Sequence, residues 1–464
     1  MHKFAIAFLI ILFGLPLAGA FADSTGFTAP VIVSSPGGNS TIPQLVVSGN
    51  NVYLGWVDRT AGQFGAKIAH SSDGGASFGH EVNLGSIGGA IDNIRIAGSG
   101  GAVVAVWQSF SANKSSIAFA KSTDNGTTFG PPVQISNSTR DSAFPQVAVS
   151  GSHVYVAWLD RTEGDITNVV FAKSDDGGTT FGTPVSITSH AGTSGIPKIY
   201  ADGSNVYLLW EDNGEKNFEI FLASSSNSGN TFDLPVNISN DAGNSGTPQM
   251  SVSGKNIYVV WMDDSSGHYA VMLSRSTDGA QTFSNPVDLS QSKQDSGYPQ
   301  IASDGSNVYV AWTGTITEKN YDVYFTKSTD GGQTFGQPLD ISNSPGASGW
   351  PQVAATGNVY VSWVDNSPGP YDVYITKSTD GGASFGQPVD VSNSVGGTWY
   401  NQMVATPNTV YLSWLGVGQN NSQITFSKST TFVPEFGGVA SIVLVLSIIS
   451  VVVLSRRYGQ LHFW

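Results

Sequence analysis

The stretch Val154-Tyr155-Val156-Ala157-Trp158 decides the fold, because the chain repeats it eight times. The closing tryptophans are Trp56, Trp107, Trp158, Trp210, Trp261, Trp312, Trp363 and Trp414, spaced by 51, 51, 52, 51, 51, 51 and 51 residues. A fixed period near 50 marks a repeat array, with one supersecondary unit per period. The run is apolar at consecutive positions rather than at alternate ones. A strand reads that way when both faces of its sheet are covered.

Working outward from Trp158, one unit contains four strand-like runs: 145–150, 154–159, 168–173 and 184–188. Gly, Ser, Asn and Asp separate them, as turns require. No helical periodicity of useful length occurs between the two ends of the chain. The expectation is an all-β, eight-bladed β-propeller of four-stranded blades, with each blade covering its neighbour's face. Phe27-Thr28-Ala29-Pro30-Val31-Ile32-Val33 matches the fourth strand of a unit, as in Phe385-Gly386-Gln387-Pro388-Val389-Asp390-Val391. The eighth unit lacks that strand, so the N-terminal segment is expected to complete the last blade and close the ring.

The third and fourth strands are joined by a second marker, Ser122-Thr123-Asp124-Asn125-Gly126-Thr127-Thr128-Phe129. Its acid recurs at Asp73, Asp176, Asp278, Asp330 and Asp380; the fourth copy has Asn227, and the eighth is cut to Ser429-Thr430-Thr431-Phe432. Such a turn locks itself. The carboxylate accepts backbone N–H groups, glycine supplies a positive φ, and the aromatic is buried beneath. This motif resembles the Asp-box (BNR) repeat of sialidase-type propellers, over residues 27–432. The resemblance implies that the six Asp residues are structural and face away from the ligand.

The chain carries 34 acidic and 20 basic residues, a formal charge of −14, with no basic stripe of the kind a nucleic-acid partner needs. It has no cysteine, which excludes disulfides and thiolate metal sites. Residues 1–22 read as a signal peptide: His2 and Lys3, an apolar run from Phe4 to Leu17, then small residues at Ala18-Gly19-Ala20 and Ala20-Phe21-Ala22. In the tail, 433–464, the uncharged stretch Gly438–Leu454 is long enough for one transmembrane helix, with Arg456 and Arg457 kept inside. Val433-Pro434-Glu435-Phe436-Gly437 with that span and the arginine pair resembles the PEF-CTERM sorting tails of archaeal surface proteins. That resemblance implies tail removal and lipid anchoring; seven further residues, Tyr458–Trp464, leave a plain single-pass anchor open. Either way the propeller is expected outside the cell, at its surface. Sequons at Asn39, Asn113, Asn125, Asn137, Asn237 and Asn420 make it a candidate glycoprotein.

Function is expected on the face opposite the boxes. Aligned on the tryptophans, the inner strands place a ring of residues at the channel: Gln44, Arg95, Gln146, Lys198, Gln249, Gln300, Gln352 and Gln402. The amides either satisfy neighbouring backbone or bind ligand; the two cations point to an anion subsite. The residue before Pro-Gln varies, and aromatics gather late, at Tyr298, Trp350, Trp399 and Tyr400. These rings either pack the rim or stack on sugars or a protein partner. Trp-x-Asp supplies Asp58, Asp160, Asp212, Asp263 and Asp365, which either cap their own turns or act as acids, bases or Ca²⁺ ligands. No cofactor or metal is otherwise called for.

Three functions follow: a non-catalytic surface module binding glycan or protein through its top face, a sialidase-type glycoside hydrolase, or a structural envelope component. Sialidase chemistry, as the resemblance implies it, requires three arginines on a carboxylate, a Tyr–Glu pair and an Asp acid. The repeats hold five arginines, Arg59, Arg95, Arg140, Arg161 and Arg275, but no Arg-Ile-Pro signature. That absence and the uniformity of the repeats favour the non-catalytic module, with Arg59, Arg95, Arg161, Lys198 and the four aromatics as its binding candidates.

Overall fold

A computed structural model describes residues 26–60, 64–99, 101–111, 114–137, 139–162, 166–188, 192–214, 216–317, 320–367, 369–394, 396–418 and 421–432. The expected signal peptide, the tail with its helix 438–454, and the sequons at Asn113 and Asn420 lie outside them. Among the described residues no helix is long and apolar enough to cross a membrane.

The strands form eight four-stranded antiparallel sheets arranged as a ring of blades. In blade 3 the order from the axis outward is Asp141–Ser150, His153–Arg161, Thr167–Ser174 and Val185–Ser186. In blade 8 the outermost position is taken by Val31–Ile32, paired antiparallel to Ser422–Ser429 through Val31↔Phe426 and Ile32↔Thr425. The chain's first strand thus completes its last blade, and Phe27 is buried beside Tyr360 and Trp414.

The core is a set of interfaces between blades. Along the second strand of blade 3, Val154, Val156 and Trp158 pack on Val104, Val106 and Phe119 of blade 2. Tyr155 and Ala157 pack on Val206, Leu208 and Trp210 of blade 4. This two-sided burial is why the strand is apolar at successive positions. All eight tryptophans are at most 2% exposed, and truncating one to Ala costs about 3–5 kcal/mol.

The box turns share one hydrogen-bond pattern. In blade 1, Asp73 Oδ1 accepts from Ser71 Oγ (2.7 Å) and Ser77 N (2.9 Å), Oδ2 accepts from Ser77 Oγ (2.6 Å), and Ser71 Oγ accepts from Gly75 N (2.7 Å). In blade 4 Asn227 keeps the geometry: its Oδ1 accepts from Ser225 Oγ and Thr231 N, and its Nδ2 donates to Thr231 Oγ1 at 2.8 Å. These bonds hold the box carboxylates below their usual range.

Each box also grips the blade before it. Gly178 has φ +79°, and a Cβ there would overlap the Phe119 ring of blade 2. Blade 5 carries Ala280 at the same position, also at positive φ, where the facing residue of blade 4 is Leu222 rather than Phe. A girdle of cations runs around the same face, each residue immediately preceding its own box serine. Lys121 reaches Thr179, Lys173 reaches Asn230, Arg275 reaches Gly331, Lys327 reaches Gly381, Lys377 reaches Phe432 and Lys428 reaches Gly74. Every link joins one blade to the next, and the last ties blade 8 to blade 1.

Candidate functional site

The opposite face is built on a recurrent backbone kink. In six blades the inner strand carries a β-bulge just before the channel-ring position. The first bulged residue has positive φ: Asn93 (52°), Phe144 (52°), Thr247 (50°), Tyr298 (52°), Trp350 (52°) and Tyr400 (56°). Bulky residues adopt this region at a cost of about 1–3 kcal/mol, and such strain concentrates at ligand sites. Bulges re-aim side chains, and here Tyr298, Trp350 and Tyr400 stand 50%, 45% and 54% exposed at the channel mouth. The blade before the bulge holds it: Thr247 N donates to Glu211 Oε2 (2.9 Å), and Trp350 N to Thr313 Oγ1 (3.2 Å). Blades 1 and 4 carry Ile42 and Ile196 there, without positive φ, and their inner strands start only at Gln44 and Lys198.

The late aromatics form one array. Trp350 lies 6.2 Å from Tyr298, 5.8 Å from Trp399 and 6.4 Å from Tyr371, and Tyr371 is 4.6 Å from Trp399. Trp399 differs from the expectation that grouped it with Tyr400 on the rim. It precedes the bulge and is half-buried behind Trp350 as a backing ring. A cavity of about 240 Å³ opens between Tyr298, Tyr321, Trp350 and Tyr371. A second, of about 730 Å³, adjoins it and shares Tyr298, Thr313 and Tyr321, with His268, Tyr269 and Lys293 on its far wall. Sequence reasoning missed Tyr269, Tyr321 and Tyr371. Their signal was a tyrosine eight or nine residues after the tryptophan in units 5, 6 and 7.

The charged candidates divide between two places. Arg95 and Lys198 sit in the channel ring. Arg95 donates from Nη1 to Ile94 O at 2.9 Å. Gln44 and Gln352 donate likewise to their own preceding carbonyls, at 3.0 and 3.1 Å. Burial lowers the pKa of Arg95, with Asp92 opposing. Burial and then the Arg95 charge push Lys198 down to about 8, with Glu211 opposing. Burial raises Glu211. Arg59 forms an ion pair with Asp92 at 3.0 Å. Arg161 lines a separate cavity of about 530 Å³ between blades 2 and 3, with Phe110, Asp141 and Phe144. Arg140 lies 3.8 Å from Asp160, whereas Arg275 is on the box face.

The Trp-x-Asp carboxylates turn inward. Asp160 accepts from Trp158 Nε1 (2.7 Å) and Ser142 Oγ (2.6 Å). Asp212 accepts from Ser194 Oγ and Gly214 N, and Asp263 from Ser245 Oγ and Ser265 N. Asp365 accepts from Ser348 Oγ and Ser367 N, and Asp58 from Thr60 N. Asp160, Asp212, Asp263 and Asp365 clasp the serine at the start of the inner strand segment, and Asp58, Asp212, Asp263 and Asp365 cap their own turns. Among the described residues no group of three or more His, Asp or Glu is arranged to hold a metal.

No family model matches the chain, and no curated protein does. Solved structures similar to it include an ulvan-type polysaccharide lyase bound to a GlcA–Rha3S saccharide, at 13% identity and TM-score 0.46, covering 73% of this chain and 92% of that one. Another is the intramolecular trans-sialidase of Ruminococcus gnavus, at 12% identity and TM-score 0.41, covering 74% and 95%. A Hadza microbial sialidase matches at 13% identity and TM-score 0.43, covering 82% and 76%. Likeness of this order assigns no chemistry to the present chain.

Proposed function

We propose that the protein is a non-catalytic binding module that holds a glycan chain on its top face, displayed at the cell surface by its tail. The observation that carries this reading is the array Tyr298–Trp350–Trp399–Tyr371 beside two confluent cavities. Sugar rings present apolar faces that stack on aromatic side chains, while hydroxyl groups find Thr313, Gln294 and Asp295 on the cavity walls. Two of the four rings, Tyr298 and Trp350, stand on bulges that leave them half exposed. Against catalysis, the top-face Trp-x-Asp carboxylates are committed to hydrogen bonds within their own blades, and the arginines are spread over separate places. Anchoring rests on the tail, either as a spanning helix at 438–454 or as lipid after processing.

The test is a glycan-array screen of the full chain, repeated with Trp350→Ala, while mass spectrometry watches for cleaved products. Retention of a glycan by the wild type, at least tenfold weaker in the variant at unchanged melting temperature, is the expected result. Turnover of any glycan would move the protein to the hydrolase class. Retention of proteins or of its own copies alone would favour the envelope-component reading.

A further inference from the structure

The niche that carries the aromatic array is built more than once around the mouth. Its position is set by the residue just before each bulge, which the ladder pairs with the residue after that blade's tryptophan or its equivalent: Ala143 with Leu159, Gly297 with Thr313 and Gly349 with Val364. Where that residue is small, space opens between the bulge and the blade before it. Gly297 and Gly349 line the two confluent cavities in this way. Ala143 does the same for the cavity of about 530 Å³ between blades 2 and 3.

Elsewhere the same position is taken. In blade 8 it carries Trp399, whose ring packs on Trp350 and Tyr371. In blade 5 it carries Gly246, but Glu211 of blade 4 reaches in to accept from Thr247 N, and a Cβ on Gly246 would lie 3.1 Å from Glu211 Oε2. The residue of blade 2 that corresponds to Glu211 is Gln108, each following its blade's tryptophan. Its Oε1 accepts from Asn93 Nδ2 of its own blade at 3.0 Å instead, so the niche before blade 3 stays open.

The lining of this niche differs from that of the array. Its two exposed rings are Phe110 of blade 2 and Phe144, the bulge residue of blade 3. Leu159 follows Trp158 where Thr313 follows Trp312. Ser111, Lys114, Arg161 and Thr167 supply polar groups. The acid of the niche, Asp141, is engaged, its Oδ1 accepting from Ser115 N at 2.8 Å. Exposed rings with a few polar groups around them suit a sugar, whose apolar face stacks while its hydroxyl groups are hydrogen-bonded.

We propose that the cavity between blades 2 and 3 is a second saccharide-binding site, in which a sugar ring stacks on Phe144 and Phe110 independently of the aromatic array. It lies three blade interfaces round the ring from the cavity between blades 5 and 6, so the two sites fill separately. The class of its ligand rests on the glycan-binding reading above.

The test counts hexasaccharides bound per full-length chain by native mass spectrometry, with cellohexaose, xylohexaose, chitohexaose and hexagalacturonate as probes. Phe144→Asn removes the ring and installs the residue that blade 2 carries at the same positive φ, Asn93, so the bulge keeps its fold. Ala143→Trp fills the niche with the residue that blade 8 carries at the same position, Trp399. Trp350→Ala disables the array.

The expected result is two copies of at least one hexamer on the wild type and one copy on each single variant. The combination of Phe144→Asn with Trp350→Ala should bind none, at unchanged melting temperature. A single copy on the wild type, lost in Trp350→Ala and kept in Phe144→Asn, would overturn the second site and leave the array reading standing. A copy kept in Trp350→Ala and lost in Phe144→Asn and Ala143→Trp would support this site even if the array bound nothing. Two copies retained by both Phe144→Asn and Ala143→Trp would overturn the proposal, and no binding of any of the four hexamers would overturn it together with the glycan reading.

Discussion

The two faces of this ring are made from the same repeat but treat it in opposite ways. On the box face most blades do the same thing: six carry the Ser–Asp–Ser/Thr turn bonded internally, five of those put a glycine against a neighbouring ring, and six cations stitch blade to blade. On the mouth face the backbone device also recurs, but the residue it displays changes from Asn93 and Phe144 to Thr247, Tyr298, Trp350 and Tyr400. Where side chains must match a neighbouring blade, the repeat is held constant; where they face solvent, it diverges. Stability belongs to the first face; the proposed recognition would belong to the second.

The largest effect is expected from opening the ring. Deleting residues 26–35 removes Phe27 and the Val31–Ile32 strand, and should cost at least about 3 kcal/mol, read as a lower melting temperature. An unchanged midpoint would mean that the cation girdle alone closes the ring. Next, Gly178→Ala forces a Cβ into Phe119 at a positive φ and should cost roughly 2 kcal/mol by denaturant titration. Ala280→Gly, at the matching place opposite Leu222, should stay within about 1 kcal/mol of wild type. Equal effects at the two sites would dissolve the Phe–Gly pairing.

The faces should also respond oppositely to acid. The box carboxylates titrate lower folded than unfolded, so their stabilisation is full above about pH 4 and is lost as pH falls further. On the other face, burial and neighbouring acids raise Asp241 and Asp322 to about 6. Their charged forms cost stability at neutral pH, and protonation relieves that cost as pH falls through 6. The melting temperature should therefore rise from pH 7 to pH 5 and then drop below pH 4. The double variant Asp241→Asn, Asp322→Asn should lose most of the rise and keep the drop; Glu211 and Asp390, also raised by burial, supply what remains.

Smaller still, Lys327→Met removes one link of the girdle, to Gly381 O, and should cost roughly 1 kcal/mol. The smallest stability effect is expected at the mouth. Trp350→Ala should change stability by less than about 1 kcal/mol, because the side chain is 45% exposed. A larger loss would make the aromatic array a packing element and remove the contrast between the faces.

What the sequence by itself determined was the ring: eight blades, four strands in each, closure by the first strand, and the self-bonded box turn. These follow from local chemistry repeated at a fixed period, so the 51-residue tryptophan spacing and the Ser–Asp–Gly order carry them. Asn227 shows how local that chemistry is, since an amide keeps the same turn. Only the tertiary structure decided which side chains meet across blades. Nothing within one repeat says that Lys428 reaches Gly74, that Glu211 holds the Thr247 amide, or that Trp399 backs Trp350 while Tyr400 faces solvent. In the sequence the Trp-x-Asp carboxylates stay open between turn caps and ligand groups, and the left-handed bulge before the channel ring is invisible. The first depends on partners 17–18 residues away within the same blade and the second on a neighbouring blade 36–37 residues away, and a one-dimensional pattern specifies the period of such contacts but not their geometry.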